Sequence, residues 1–171
     1  MNHYNPNIHH RHSIRLKDFD YATPGLYFVT ICSQNREMLF GIIRAGRLFL
    51  NEAGRMVERW YWETESKYST VRCREMVVMP NHFHCIWEIL GVDKNDFDPS
   101  VSLSSIVQWF KTMTTNEYIR GVKQLGWPSF KGRLWQRNYY EHIIRDEESY
   151  RAIANYIITN PIRWNGDRFH P

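Results

Sequence analysis

The stretch VVMPNHFHCIWEI, residues 77–89, places two histidines one residue apart inside an otherwise apolar run. Its alternation predicts a strand after a break at Pro80-Asn81, and strand side chains point to opposite faces with period 2. His82 and His84 then share one face, while Phe83 and Cys85 share the other. Two neighbouring groups that can each take up a proton near neutral pH are a poor choice for packing and a good one for holding a metal ion. On the spacing alone, two structural histidines in a strand is the simpler reading.

The rest of the chain alternates strand and helix signals. Pro24-Gly25 introduces LYFVTICSQN, a β-rich run closed by polar residues. LFGIIRAGRLFLN reads as a hairpin turning at Ala45-Gly46, and Asn51 as the N-cap of a helix over about 52–66. A second amphipathic helix is predicted from about Ser102 to Ile119, after the loop GVDKNDFDPS and before a basic, Gly-rich connector, GVKQLGWPSFKGR. LWQRNYYEHIIR is a predicted strand. Asp146 caps a last helix, EESYRAIANYIITN, stopped by Pro161. Residues 1–20 are polar and His-rich and read as an arm; His9, His10 and His12 offer ligand atoms, but a solvated tail is the simpler account. Residues 21–171 read as one domain. The economical layout is α+β: an antiparallel sheet with helices packed on one face and the other face open for a site.

With 43% hydrophobic and 15% aromatic residues over 171 positions, the chain can bury a real core. Three cysteines without a CxxC spacing argue against a disulfide framework and for a reducing, cytoplasmic setting. The N-terminus lacks the apolar core of a secretory signal, and no apolar run is long enough to span a bilayer. The net charge of +4 says less than its distribution: residues 120–145 carry six basic residues against one acid, Glu141. Rings are interleaved with these charges, so basic groups can meet phosphates while rings stack on bases. The candidates for nucleic-acid contact are Lys131, Arg133, Trp135, Arg137, Tyr139 and Tyr140, with Lys111 at the polar edge of the second helix. The plainer reading of the segment is a solvated face.

In the last helix, NYIITNP puts Tyr156 and Asn160 four apart, one turn from each other on the same face. Tyrosine offers a phenolic nucleophile and asparagine a carbonyl oxygen that can bind a cation. If this helix meets the histidine face, two imidazoles and an amide oxygen would hold a divalent ion beside a tyrosine hydroxyl. Phosphodiester transfer needs that set: a cation to neutralise charge on the phosphate, and a nucleophile to conserve the bond as phosphotyrosine. N/O ligation with open positions suits Mg²⁺ or Mn²⁺. Ile153 and Ile157 flank Tyr156, so a core tyrosine is the competing reading; for Asn160 it is a helix C-cap.

The PNHFHC run, a His-hydrophobic-His motif, lies between SIRLKDFDYATPGLYFVTICSQNRE and LWQRNYYEHIIRDEESYRAIANYIITNPIRW. These three blocks resemble the REP-associated tyrosine transposases, within the larger class of single-tyrosine His-hydrophobic-His endonucleases, over residues 13–164. The resemblance implies a ferredoxin-like sheet and a Mg²⁺- or Mn²⁺-dependent enzyme. Such enzymes cleave single-stranded DNA next to a hairpin, as in REP-like repeats, and form a 5′-phosphotyrosine with a free 3′-OH. His82 and His84 map to the metal ligands, Asn160 to the third ligand and Tyr156 to the nucleophile. Related insertion-sequence transposases usually carry Gln where Asn160 stands. Two rival classes are a non-catalytic nucleic-acid-binding module of the same fold and a Zn²⁺ hydrolase that uses water. Monomer and homodimer both stay open.

If the basic, ring-rich segment contacts phosphates, binding to structured single-stranded DNA should weaken steeply with salt. The expected log–log slope is several units, about one counterion per phosphate contacted. A flat salt titration by fluorescence anisotropy would remove the phosphate-contact reading.

Overall fold

The computed structural model describes residues 23–91 and 101–170. The N-terminal arm with His9, His10 and His12, and the loop at 92–100, lie outside the described residues. Strand β1 (Gly25–Cys32) is followed by a short hairpin, β2 (Gly41–Arg44) and β3 (Arg47–Leu50), and by helix α1 (Glu52–Lys67). Strands β4 (Val71–Met79) and β5 (His82–Ile89) come next, then helix α2 (Leu103–Leu125), β6 (Tyr140–Ile144) and helix α3 (Glu147–Thr159). A 3-10 segment, Asn160–Gly166, continues directly from α3. Four strands form one antiparallel sheet in the order β4-β5-β1-β6. Without the hairpin and α3, this is the β-α-β-β-α-β ferredoxin-like arrangement.

The local chemistry accounts for most boundaries. Ala45 and Gly46 both have left-handed φ, 48° and 72°, as a two-residue hairpin turn requires. The Asn51 side chain accepts from the Gly54 N–H at 2.8 Å and starts α1; Asp146 does the same for Ser149 at 2.7 Å and starts α3. Pro80 and Asn81 form the tight turn that folds β5 back on β4.

One sheet face is a dry aromatic core. Phe83, Cys85 and Trp87 of β5 meet Met56, Val57 and Tyr61 of α1 and Leu103, Ile106 and Phe110 of α2. Phe83 stacks on Phe110 with ring centres 5.1 Å apart. The buried Tyr61 hydroxyl is satisfied by donating to the backbone carbonyls of Ile86 and Arg74, at 2.7 and 3.0 Å. The opposite face carries a smaller cluster, Phe28, Val77, Met79, Ile86 and Ile144, covered by Ile157 of α3 and by Trp164.

Several expectations need correction. Helices α1 and α2 share one face as expected, but α3 lies across the other, because its apolar stripe at Ile153, Tyr156 and Ile157 packs on Phe28 and Ile86. Helix α2 runs past Ile119 to Leu125 and stops where Gly126 adopts the left-handed φ of 71°. Gly121, read as connector, is helical because its bare backbone receives the Trp127 ring. The strand expected from Leu134 begins only at Tyr140. Leu134 and Trp135 owe their apolar character to core burial, with Trp135 stacked on Phe40 at 4.8 Å and donating to Thr114 Oγ1 at 2.8 Å. Pro161 does not end the helical path. Asn160 keeps helical angles (φ −55°, ψ −42°), and Pro161 opens the 3-10 segment, where its missing N–H costs nothing.

Gly121→Ala tests the α2–Trp127 contact. Alanine in a helix interior normally gains about 1 kcal/mol over glycine. Here the new methyl would overlap the Trp127 ring, so the variant should lose about 1–3 kcal/mol of stability instead, read as a lower Tm.

Candidate active site

Strand β5 lies inside the sheet between β4 and β1, and it presents His82 and His84 from the same face. Both rings are fully buried. Their Nε2 atoms face each other at 3.0 Å. Each outer nitrogen is anchored: His84 Nδ1 to Thr30 Oγ1 and His82 Nδ1 to Asn81 Oδ1, both at 2.8 Å. Asn81 Nδ2 donates to the Phe169 carbonyl at 2.8 Å, which turns its acceptor oxygen toward His82. His82 Nδ1 therefore carries the proton, and its Nε2 presents a lone pair inward. Burial lowers both pKa values, to about 2 for His82 and about 3 for His84; the neighbouring His84 and Arg36 add to the shift at His82, and Arg168 to that at His84. Both imidazoles are neutral, the state in which they can ligate a cation.

Helix α3 brings Tyr156 to this pair. Its hydroxyl is 3.4 Å from His84 Nε2, and its ring stands edge-on to Phe28 at 6.1 Å. Burial raises the phenol's pKa, and the Asp167 charge raises it further, while Asn160, Arg168 and Arg163 pull it down. One turn on, Asn160 is fully buried; its amide lies close enough to the Tyr156 hydroxyl to lower the phenol's pKa, but neither its Oδ1 nor its Nδ2 makes a hydrogen bond of good geometry. An orphaned buried amide costs on the order of 1–3 kcal/mol, and nothing in its cap position repays that. The donor set fits a small hard cation: two ligands in adjacent positions on an octahedral ion at about 2.1 Å stand about 3.0 Å apart. The two Nε2 atoms have that spacing, and the Asn160 oxygen is a spare hard donor.

The C-terminal residues complete the enclosure, and sequence reasoning missed them. The Phe169 ring lies 4.7 Å from His82, with the guanidinium groups of Arg168 and Arg36 at 4.8 and 5.5 Å from its centre. Arg36 and its neighbour Asn35 hold left-handed φ values of 57° and 56°, a strained conformation of the kind that collects at functional sites. Asp167 comes close enough that one carboxylate oxygen and the ligand nitrogens of His82 and His84 all lie within 4.8 Å of one another. Residues 165–171, NGDRFHP, carry no periodicity, so only the presence of an acid near the helix end could have pointed there. Thr30 reads as a strand residue until the β1–β5 register pairs it with His84.

The basic segment divides. Lys131, Arg133, Arg137 and Tyr140 are exposed. Tyr140 sits 6.3 Å from Phe28, which stacks on His84 at 5.4 Å, so it borders the site. Trp135 is buried in the aromatic core and has no face free for a base. Tyr139 is half-buried against that core. Lys111 is not the solvated cation of the plainer reading. Its ammonium donates to the carbonyls of Gln136 and Arg137, at 2.9 and 3.2 Å, and burial lowers its pKa to about 8.

The fold and candidate site together are an α+β sheet whose central strand carries a buried His-x-His pair facing a helix tyrosine. The chain belongs to the IS200-like transposase family, whose sequence model ("Transposase IS200 like") matches residues 47–160. It is 40% identical over 174 residues to an uncharacterized protein of Haemophilus influenzae, covering 98% of this chain and 97% of that one. It is 30% identical over 87 residues to a REP-associated tyrosine transposase of Escherichia coli K12, a match that covers 51% of this chain and 42% of the relative. In fold it is similar to a REP-associated tyrosine transposase solved bound to a REP hairpin, with a TM-score of 0.61 at 22% identity, covering 89% of this chain and 73% of that one. The family makes the protein a DNA-processing enzyme of the transposase kind. Among the described residues no helix is long and apolar enough to cross a membrane.

The buried histidines predict a pH dependence. Their folded values lie below the ordinary 6.5, so the unfolded chain binds these protons more tightly. Stability of the chelator-treated protein should be full above about pH 6.5 and fall as pH drops toward 3, by up to about 1.4 kcal/mol per pH unit for each imidazole. His82→Gln and His84→Gln should each flatten the Tm profile across that window.

Proposed function

We propose that this protein cleaves single-stranded DNA beside hairpin-forming repeats and holds the cut strand on Tyr156 as a 5′-phosphotyrosine. His82, His84 and Asn160 would hold the Mg²⁺ or Mn²⁺ that this chemistry calls for. The observation that carries the reading is the Tyr156 hydroxyl 3.4 Å from His84 Nε2, beside two imidazoles whose inner nitrogens stand 3.0 Å apart. A partner of REP-hairpin type is supported by the structural relative, which was solved with such a hairpin.

The Tyr156 oxygen forms the bond to phosphorus as its proton passes to solvent, and the bond from phosphorus to the 3′ oxygen breaks, that oxygen taking up a proton from solvent to give a free 3′-OH. The chemistry a divalent ion supplies when bound is neutralisation of charge on the non-bridging phosphate oxygens. Asn81 holds His82 in the ligating tautomer, and Thr30 anchors the orientation of the His84 ring. Phe28 and Phe169 shield the rings from water. Lys131, Arg133 and Arg137 meet the DNA backbone, and Tyr140 stacks on a base at the margin of the site. Lys111 acts from behind, by fixing the carbonyls of Gln136 and Arg137 and so the path of the basic segment. With its three free, buried cysteines, the protein suits the reducing cytoplasm.

Incubation with hairpin single-stranded DNA and Mn²⁺ should yield an SDS-resistant protein–DNA adduct. Tyr156→Phe should abolish the adduct while keeping fold and DNA affinity, because it removes one oxygen and any hydroxyl hydrogen bond of about 1 kcal/mol. His82→Ala should also lose the adduct but recover part of it in excess Mn²⁺. Tyr140→Phe should keep it. An adduct that survives Tyr156→Phe and disappears with Tyr140→Phe would move the nucleophile to β6.

A further inference from the structure

We propose that Asp167 is a further metal ligand, a carboxylate brought to the His82/His84 pair by the C-terminal segment. This inference rests on the metal-dependent reading above and adds a residue outside the stretch that the family model matches, which ends at Asn160.

The placement of Asp167 is fixed from several sides. Its backbone N–H donates to the Trp164 carbonyl at 3.0 Å, and Trp164 is buried beneath α3. Its own carbonyl accepts from the His170 N–H at 3.0 Å. One carboxylate oxygen, Oδ1, accepts from the Phe169 N–H at 2.6 Å. The Phe169 carbonyl is in turn held by Asn81, the residue that also orients His82. One asparagine therefore aligns a histidine ligand and pins the segment that carries the carboxylate.

The chemistry points to a cation. The ligand atoms of His82, His84 and Asp167 lie within 4.8 Å of one another. The inner nitrogens of the two imidazoles stand 3.0 Å apart on the side from which the carboxylate approaches. Among the described residues no Lys or Arg forms an ion pair with it. A half-buried carboxylate gathered with two ring nitrogens in this way is a set completed by a divalent ion. Adding a hard, charged oxygen to two nitrogens and the Asn160 amide favours Mg²⁺ or Mn²⁺ over a soft ion and raises the affinity.

The test is Mn²⁺ binding to the chelator-treated, full-length protein, followed by calorimetry and by loss of the free-ion EPR signal, with no DNA present. Wild type should bind one ion, and His84→Ala should weaken binding strongly. Asp167→Asn keeps an oxygen for the Phe169 N–H but loses the charge, and it should raise Kd at least tenfold; Asp167→Glu should stay within a few-fold of wild type. If Asp167→Asn lowers the Tm of the metal-free protein, the comparison passes to Asp167→Glu against Asp167→Gln, which differ in charge at equal length. The same tenfold gap is expected there. Equal affinities for charged and uncharged variants, with His84→Ala still weakened, would overturn the Asp167 assignment and leave the histidine site standing. Wild-type protein that binds no Mn²⁺, or a His84→Ala variant that binds as wild type does, would remove the metal reading and this inference together.

Discussion

Two imidazoles buried side by side on a central strand set the terms for everything around them. A buried ring nitrogen must find a partner, and here each outer nitrogen does: one in Thr30 of the neighbouring strand and one in Asn81 of the preceding turn. That ties the β1–β5 register, in which Thr30 faces His84, to the site itself. A slip of one residue would turn both histidines into the α1/α2 core and expose Phe83, Cys85 and Trp87. The inner nitrogens face each other at 3.0 Å with the Tyr156 hydroxyl 3.4 Å from one of them, and this inward pair is what the proposed metal site draws on.

The sheet divides labour between its faces. The α1/α2 side is a dense aromatic layer in which polar tips such as the Tyr61 hydroxyl are satisfied by backbone carbonyls. It supplies the rigidity. The other side is thinner, closed by α3, the 3-10 segment and Phe169, and it tolerates an Asn160 amide with no partner. Cost accepted on one face and stability stored on the other is the common pattern for sites that must bind something the protein alone does not contain.

Basic composition over residues 120–145 mixes two kinds of residue. Trp135 belongs to the scaffold and fills the core against Phe40, as does Lys111 on the neighbouring α2, which straps carbonyls of the segment. Lys131, Arg133, Arg137 and Tyr140 remain on the surface. Charge and aromaticity in a sequence count residues; burial decides which of them a polyanion can reach.

Local rules were enough for much of this protein. The period-2 pattern placed His82 and His84 on one face, the turn chemistry of Ala45-Gly46 gave the hairpin, and Asn51 and Asp146 marked their helix starts, because each depends only on residues a few positions apart. The i, i+4 spacing likewise put Tyr156 and Asn160 on one side of α3. Distance in the chain hid the rest. That α3 crosses the histidine face, that Trp135 is core, and that Thr30, Asn81, Asp167 and Phe169 gather around two imidazoles are all consequences of contacts between residues dozens of positions apart. Such contacts carry no local periodicity. They are chosen when the apolar stripe of α3 and the Trp164 and Phe169 rings bury themselves on the sheet, and only tertiary packing makes that choice.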